Sequence, residues 1–313
     1  MIRRCDFGLV ILAASLAAPW PGPAQTLTVT KDDRTIRVAA PACPVAEYVY
    51  RESPLKPYLS KWYTPAGVQV LRDSPADHKH HHALMFAIGI DGVDFWGEIK
   101  GCGRQAYRQL EGPREYAIGG MPTAEFAERL DWLAADGKPL AAERRTISIV
   151  LGKDLPTRLL VWRTRLEAAP GRASVKLWGR DYFGLGARFV QSMDNKTRFV
   201  FPKGVKEESA KGHTLTQARW CACVGPADGK TITLAMFDHP ANARHPARFF
   251  YMNKSFAYVS ATLGLGQQPL ELKAGQPLEL CYGVGLWDGE AAAAQVEALY
   301  DRWLALSGGT REK

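Results

Sequence analysis

Four of the seven histidines stand within five positions, at His78, His80, His81 and His82. Imidazole titrates near neutral pH, so such a cluster suits acid–base catalysis or metal ligation. An apolar run, Ala83 to Ile90, follows it, then a turn at Asp91-Gly92, then Asp94, Trp96 and Glu98. In an extended segment His78, His80 and His82 share a face, with His81 opposite. By the same alternation Asp94, Trp96 and Glu98 share a face of the returning strand. A hairpin across Asp91-Gly92 then brings imidazoles and carboxylates to its open end. His78, His80, His81, Asp94 and Glu98 are the catalytic candidates. Trp96 offers a ring face to a sugar. A divalent metal at the His cluster is the less favoured reading, because no second ligand pair stands at diagnostic spacing, and no cofactor is expected.

A second polar cluster lies at Asp238, His239, Asn242, Arg244 and His245, stiffened by Pro240 and Pro246. Loops of this kind present binding groups, so Asp238, His239, Asn242 and His245 are candidates for substrate binding. The same residues equally suit a turn in which Asp and Asn bond their own backbone. Arg188 follows the glycine bend Gly184 to Gly186, which could present it to an anionic or hydroxyl-rich ligand, although a structural bend with a surface Arg is the favoured reading. No phosphate-binding glycine loop and no nucleophile elbow is present.

The elements that must position these groups read as strands. Leu27 to Ala40 alternates around Asp32-Asp33. Ala124–Ala134 and Ala141–Leu151 flank the hairpin signal Asp136-Gly137. In Arg158–Ala168, Leu160, Trp162, Thr164 and Leu166 face one way, and Arg163, Arg165 and Glu167 the other. Tyr48–Tyr63 reads as extended and irregular, and Val68–Leu71 as a short strand. One helix is expected, over Glu290–Leu306, with Val296, Leu299, Tyr300, Trp303 and Leu304 at helical spacing. Many short strands and one terminal helix predict an all-β fold, a large antiparallel β-sandwich or barrel with a C-terminal α-helix.

Composition agrees with a folded domain: 313 residues, 46% hydrophobic and 23% charged. Arg3 and Arg4, the apolar stretch Phe7–Ala18 and the small residues ending at Ala24 read as a signal peptide over residues 1–24. Residues 25–313 then form a single domain, secreted or periplasmic, with no membrane span after signal cleavage. The net charge of +8 is spread along the chain, and no basic stripe marks a nucleic-acid site. Cleavage leaves five cysteines, Cys43, Cys102, Cys221, Cys223 and Cys281, an odd number whose pairing the sequence does not fix.

Pro75 to His81 with Gly92 to Glu98 resembles the signature of a bacterial family labelled "methane oxygenase PmoA". Gly184–Arg188, Ala218-Arg219-Trp220 and the Asp238–Asn242 loop with His245-Pro246 extend the resemblance, which covers about Tyr58 to Trp303. The chain departs from that pattern at His82-Ala83, where Arg-Gly is usual. The resemblance implies a galactose-mutarotase-like supersandwich, a fold used mostly by carbohydrate-active and sugar-binding proteins. It implies a carbohydrate or other small-molecule partner. The leading expectation is an epimerase, lyase or glycoside-cleaving enzyme using His and carboxylate acid–base chemistry. The alternatives are a non-catalytic carbohydrate-binding or scaffold protein and the metal-dependent oxygenase that the label names.

Overall fold

The computed structural model describes residues 26–51, 55–152, 157–207, 209–210 and 213–308; the expected signal peptide lies outside them. Two large antiparallel sheets carry the fold. The ten-stranded sheet runs, in spatial order, Thr28–Lys31, Thr35–Ala40, Cys43–Val49, Tyr58–Trp62, Leu84–Ala87, Gly184–Arg188, Tyr258–Thr262, Arg248–Met252, His213–Gln217 and Ser209–Ala210. The eight-stranded sheet runs Arg198–Val200, Trp220–Ala227, Lys230–Asp238, Leu278–Asp288, Thr157–Ala168, Pro139–Leu151, Met121–Leu133 and Arg104–Ile118. A small four-stranded sheet joins Leu270–Lys273, Ser174–Trp178, Gly89–Ile90 and Val93–Asp94. This is the all-β antiparallel sandwich that the alternation predicts.

Inward-facing residues of the two large sheets interdigitate. The rings of Phe86 and Trp132 lie 6.1 Å apart across the interface, and those of Tyr48 and Phe126 5.1 Å. In Thr157–Ala168 the expected split holds: Leu160, Trp162, Thr164 and Leu166 are buried, while Arg165 and Glu167 are exposed. Part of the outer face of the eight-stranded sheet is covered by the helix Ala293–Gly308 through Val296, Leu299, Tyr300 and Trp303. The helix comes close because Gly283 and Gly285 lie beneath it. A Cβ at Gly283 would stand 2.9 Å from the Trp303 ring, and one at Gly285 2.5 Å from Leu299.

Charge is buried between the sheets as well. Arg145 donates to both oxygens of Glu143, at 2.9 and 2.8 Å, and its guanidinium lies 4.9 Å from the Trp162 ring centre. Trp132 and Thr164 also donate to Glu143, each at 2.9 Å. Glu128 stands 3.6 Å from the same guanidinium and accepts a hydrogen bond from the Tyr48 hydroxyl. Its second oxygen has no partner among the described residues.

Several expectations need correction. Tyr48–Tyr63 is not irregular throughout, since it contains the whole strand Tyr58–Trp62 and the end of Cys43–Val49. Val68–Leu71 makes only isolated bridges, Tyr63 to Gln69 and Leu71 to Phe189. The run Ala83–Ile90 is divided between two sheets: Leu84–Ala87 joins the ten-stranded sheet and Gly89–Ile90 the small one. The five described cysteines are all free. Among the described residues no helix is long and apolar enough to cross a membrane.

Candidate functional site

The His-rich segment is a tight loop, not the extended strand that alternation suggested. His78 N–H donates to Pro75 O, His81 N–H to His78 O and Ser74 N–H to His81 O. Ser74 and Ala83, both in the left-handed region at φ 44° and 45°, stand at its ends. A turn places residues three apart together, so His78 stacks on His81 with ring centres 4.7 Å apart. The returning segment also leaves the strand early. Asp94 Oδ1 accepts the Trp96 and Gly97 N–H groups at 2.7 and 3.0 Å, closing an Asx turn immediately after the last paired residue. Trp96 and Glu98 are therefore set by this turn and not by strand alternation.

These loops meet over the Gly184–Arg188 and Tyr258–Thr262 strands, and His82 is the hub. Its side chain is 2% exposed and lies between two carboxylates: Nδ1 is 2.8 Å from Asp73 and Nε2 is 2.7 Å from Glu98. Asp73 is held in turn by the Tyr58 hydroxyl at 2.8 Å. Lys56, fully buried, donates to the same Glu98 oxygen and to Trp96 O, each at 3.0 Å. Burial opposes the His82 charge, but the hydrogen bonds to Asp73 and Glu98 outweigh it and its pKa is raised. Burial likewise works against the Glu98 charge, yet His82 and Lys56 hold that carboxyl at about 2. Two basic side chains face two carboxylates; burial lowers the Lys56 pKa, while the raised His82 pKa favours the imidazolium with both N–H groups donating.

Beside this clamp stand uncharged imidazoles. His80 is half-buried, and burial followed by the Lys56 and His78 charges lowers its pKa. His81 is buried against Tyr258, ring centres 5.3 Å apart, and burial, with the neighbouring imidazoles of His80 and His78 opposing a further positive charge, takes it down to about 2. Its Nδ1 has no partner among the described residues. Arg188 is 1% exposed, with its guanidinium carbon 3.9 Å from the Phe256 ring centre. One nitrogen donates to Asp77 at 3.1 Å, and Nε and Nη1 have no partner among the described residues. Trp96 is buried in the wall, stacked on Phe183 at 5.4 Å, and so presents no open ring face. The wall packs tightly at Gly186, where a Cβ would stand 2.9 Å from Trp96.

The second predicted cluster forms its own network elsewhere. Asp238 accepts from Asn242 Nδ2 and His245 Nδ1, each at 2.7 Å, and from Ala247 N–H at 2.8 Å. Burial raises the Asp238 pKa against those bonds. Asn242 also binds the Cys281 backbone in both directions, at 2.8 and 2.7 Å, and so substitutes for a neighbouring strand. Its amide is committed to the chain. His239 packs edge-on against Trp303 and lines a cleft that contains no residue of the His78–Glu98 region.

The structure thus joins His78, His80, His81, Glu98, Trp96 and Arg188, gives Asp94 a turn-closing place beside them, and sets Asp238, His239, Asn242 and His245 apart. Sequence reasoning passed over Asp73, Lys56 and Tyr58, and His82 was noted only as one of the run. Lys56 and Glu98 are 42 positions apart, and no local spacing links them. Among the described residues no group of three or more His, Cys, Asp or Glu side chains is arranged to hold a metal ion.

Residues 35–301 match a family described as "Family of unknown function (DUF6807)". That description carries no methane-oxygenase label, so the label attached to the motif resemblance has no support here. No curated protein matches the chain. Among solved structures, a GH36 α-galactosidase from Geobacillus stearothermophilus is 13% identical with TM-score 0.44, over 84% of this chain but only 41% of that one. The galactose mutarotase related enzyme from Lactobacillus acidophilus is 7% identical with TM-score 0.41, over 86% and 99%. A galactose mutarotase-like protein from Lactobacillus casei is 6% identical with TM-score 0.41, over 83% and 99%. Likenesses this distant leave the function to the site itself.

Proposed function

We propose that this chain, which belongs to the DUF6807 family, is an exported carbohydrate-active enzyme working by acid–base chemistry at the His78–Glu98 site. One observation carries the reading: a buried imidazolium, His82, is clamped by Asp73 and Glu98, and an uncharged, half-buried His80 stands close enough for both Glu98 and His82 to shift its pKa. A group free to accept a proton at neutral pH is what a general base requires. His80 takes that role, removing a proton from a sugar hydroxyl or from a carbon beside a carbonyl. Glu98 keeps its negative charge and accepts a substrate hydroxyl. Arg188, with two unpartnered nitrogens, orients a substrate oxygen. His82 is a positioning residue, because both of its nitrogens are committed. His78 and His81 with Trp96 form the wall, and Asp94 sets the turn that carries Trp96 and Glu98.

A non-catalytic sugar-binding role is the second reading. It is favoured by Glu98, which at a pKa of about 2 is a weak base but a good hydroxyl acceptor. An oxygenase would need at least three converging N or O ligands. The committed nitrogens of His82 and the stacked His78 and His81 rings give that reading no support.

The test is a panel of aldoses and uronates followed by polarimetry for epimerisation and by ultraviolet absorbance for elimination. His80→Ala is expected to lower kcat at least about 100-fold with KM little changed. A His80→Ala enzyme within threefold of the wild-type kcat removes His80 as the base. Saturable sugar binding without turnover by the wild type favours the binding role.

A further inference from the structure

The outer face of the eight-stranded sheet is only partly covered by the helix, and past the helix end it opens into a cleft of about 1180 Å³. Cross-strand pairing builds the floor. Thr146, Arg163 and Cys281 stand in one row, and Arg144, Arg165 and Glu279 in the next. Tyr116, Ile118 and Leu306 give one apolar wall, and His239 stands on another side.

Charge selects the occupant. Four arginines line the cleft against two glutamates. Three of the four are paired: Arg114 with Glu125, Arg144 with Glu111 and Arg165 with Glu279. The Arg163 guanidinium has no hydrogen bond or ion pair among the described residues. A half-buried guanidinium left without an anion is costly unless something else satisfies it. Its charge already acts on its neighbours. Burial and then Arg163 lower the His239 pKa, and Arg163 partly offsets the upward push of burial on Cys281. His239 Nδ1 accepts the Ala241 N–H at 3.1 Å, which leaves the ring proton on Nε2. The cleft therefore offers a permanent cation and a neutral imidazole donor beside an apolar wall, with no carboxylate among the described residues holding that cation.

We propose that this cleft is a second ligand site, separate from the acid–base site, and that it takes a small organic anion, a carboxylate or phosphate ester, anchored on Arg163. A planar guanidinium meets either head group through two parallel hydrogen bonds. The volume exceeds the range of typical small-ligand pockets, about 300–1,000 Å³, so the ligand carries a body as well as a head group.

Inorganic phosphate and benzoate, each titrated into the whole protein by calorimetry at low salt, test this, with neutral benzamide as control. Both anions are expected to bind saturably, and the tighter one names the head group. Arg163→Gln should weaken both about tenfold or more, Arg163→Lys by less, and Arg188→Gln should leave phosphate affinity unchanged. Circular dichroism of the two Arg163 variants checks that the fold is intact, and turnover at the acid–base site should not change. Phosphate affinity that survives Arg163→Gln, or that is lost in Arg188→Gln instead, overturns the proposal, as does the absence of saturable binding of either anion.

Discussion

Glu98 and Glu128 are the same side chain in two charged clusters, and their pKa values move in opposite directions. Glu98 is held at about 2, and Glu128 is pushed up to about 8. Burial acts on both in the same sense. The difference lies in how many cations each carboxylate has. Glu98 touches His82 at 2.7 Å and Lys56 at 3.0 Å. Glu128 is 3.6 Å from Arg145, because the close hydrogen bonds of that guanidinium go to Glu143, at 2.9 and 2.8 Å, and to Gln105, at 2.8 Å. Each cluster ends near neutrality, the first by adding a second cation and the second by holding a proton. The consequence is functional. The first cluster keeps a charged carboxylate near solvent at neutral pH, and the second hides a neutral acid inside the sandwich.

The largest effect expected from this contrast comes from removing the shared cation. Arg145→Leu leaves Glu143 buried with its charge uncompensated and should cost about 3–5 kcal/mol in urea denaturation. A loss below about 1 kcal/mol would mean that Glu143 protonates readily, and the core cluster would then be no different in kind from an apolar one.

Next comes His82→Gln, expected to cost about 2–3 kcal/mol at pH 6, since it leaves Asp73 and Glu98 facing one lysine. Its pH dependence follows from the two shifts. The folded pKa of His82 is raised, so its contribution is fully present below the ordinary value of 6.5 and is lost as pH rises through the folded pKa. Glu98 is depressed, so its contribution is present above 4.5 and is lost as pH falls toward about 2. The wild-type advantage over His82→Gln should therefore peak between about pH 4.5 and 6.5. An advantage still growing at pH 9 would contradict the imidazolium assignment.

The sequence made the scaffold legible and the clamp only in outline, for a physical reason. Period-two burial in Leu160, Trp162, Thr164 and Leu166, the Asp136-Gly137 turn and the helical spacing of Val296, Leu299 and Trp303 are local patterns, and each appears where expected. The His run was legible as a cluster, but alternation assigned its faces wrongly, because three hydrogen-bonded turns fold Ser74–His82 back on itself. Lys56 and Asp73 carry no local mark. Lys56 reaches the site because the Tyr58–Trp62 strand pairs beside Leu84–Ala87, and Asp73 because it bridges His82 directly. The two His-bearing loops both looked functional as composition. Only their partners separate them, backbone and Asp238 for Asn242, carboxylates for His82.

The smallest effect is the one that most sharpens the contrast. Glu128→Gln replaces a carboxyl that is protonated at acidic pH with an amide of the same shape, so at pH 5 the variant should lie within about 1 kcal/mol of the wild type. As pH rises the two should part. The folded pKa of Glu128 is raised from 4.5 to about 8, so its contribution is fully present below 4.5 and is lost as pH climbs through 8. The wild type then declines across that window while Glu128→Gln does not, and by pH 9 the variant is the more stable protein. Glu98→Gln should do the reverse, costing most above pH 4.5 and least in acid, because that carboxylate is charged wherever the protein is folded. Urea midpoints at pH 5, 7 and 9 decide it. Parallel profiles for wild type and Glu128→Gln would show that Arg145 supports two charged carboxylates after all, and the cation count would no longer explain why the two glutamates differ.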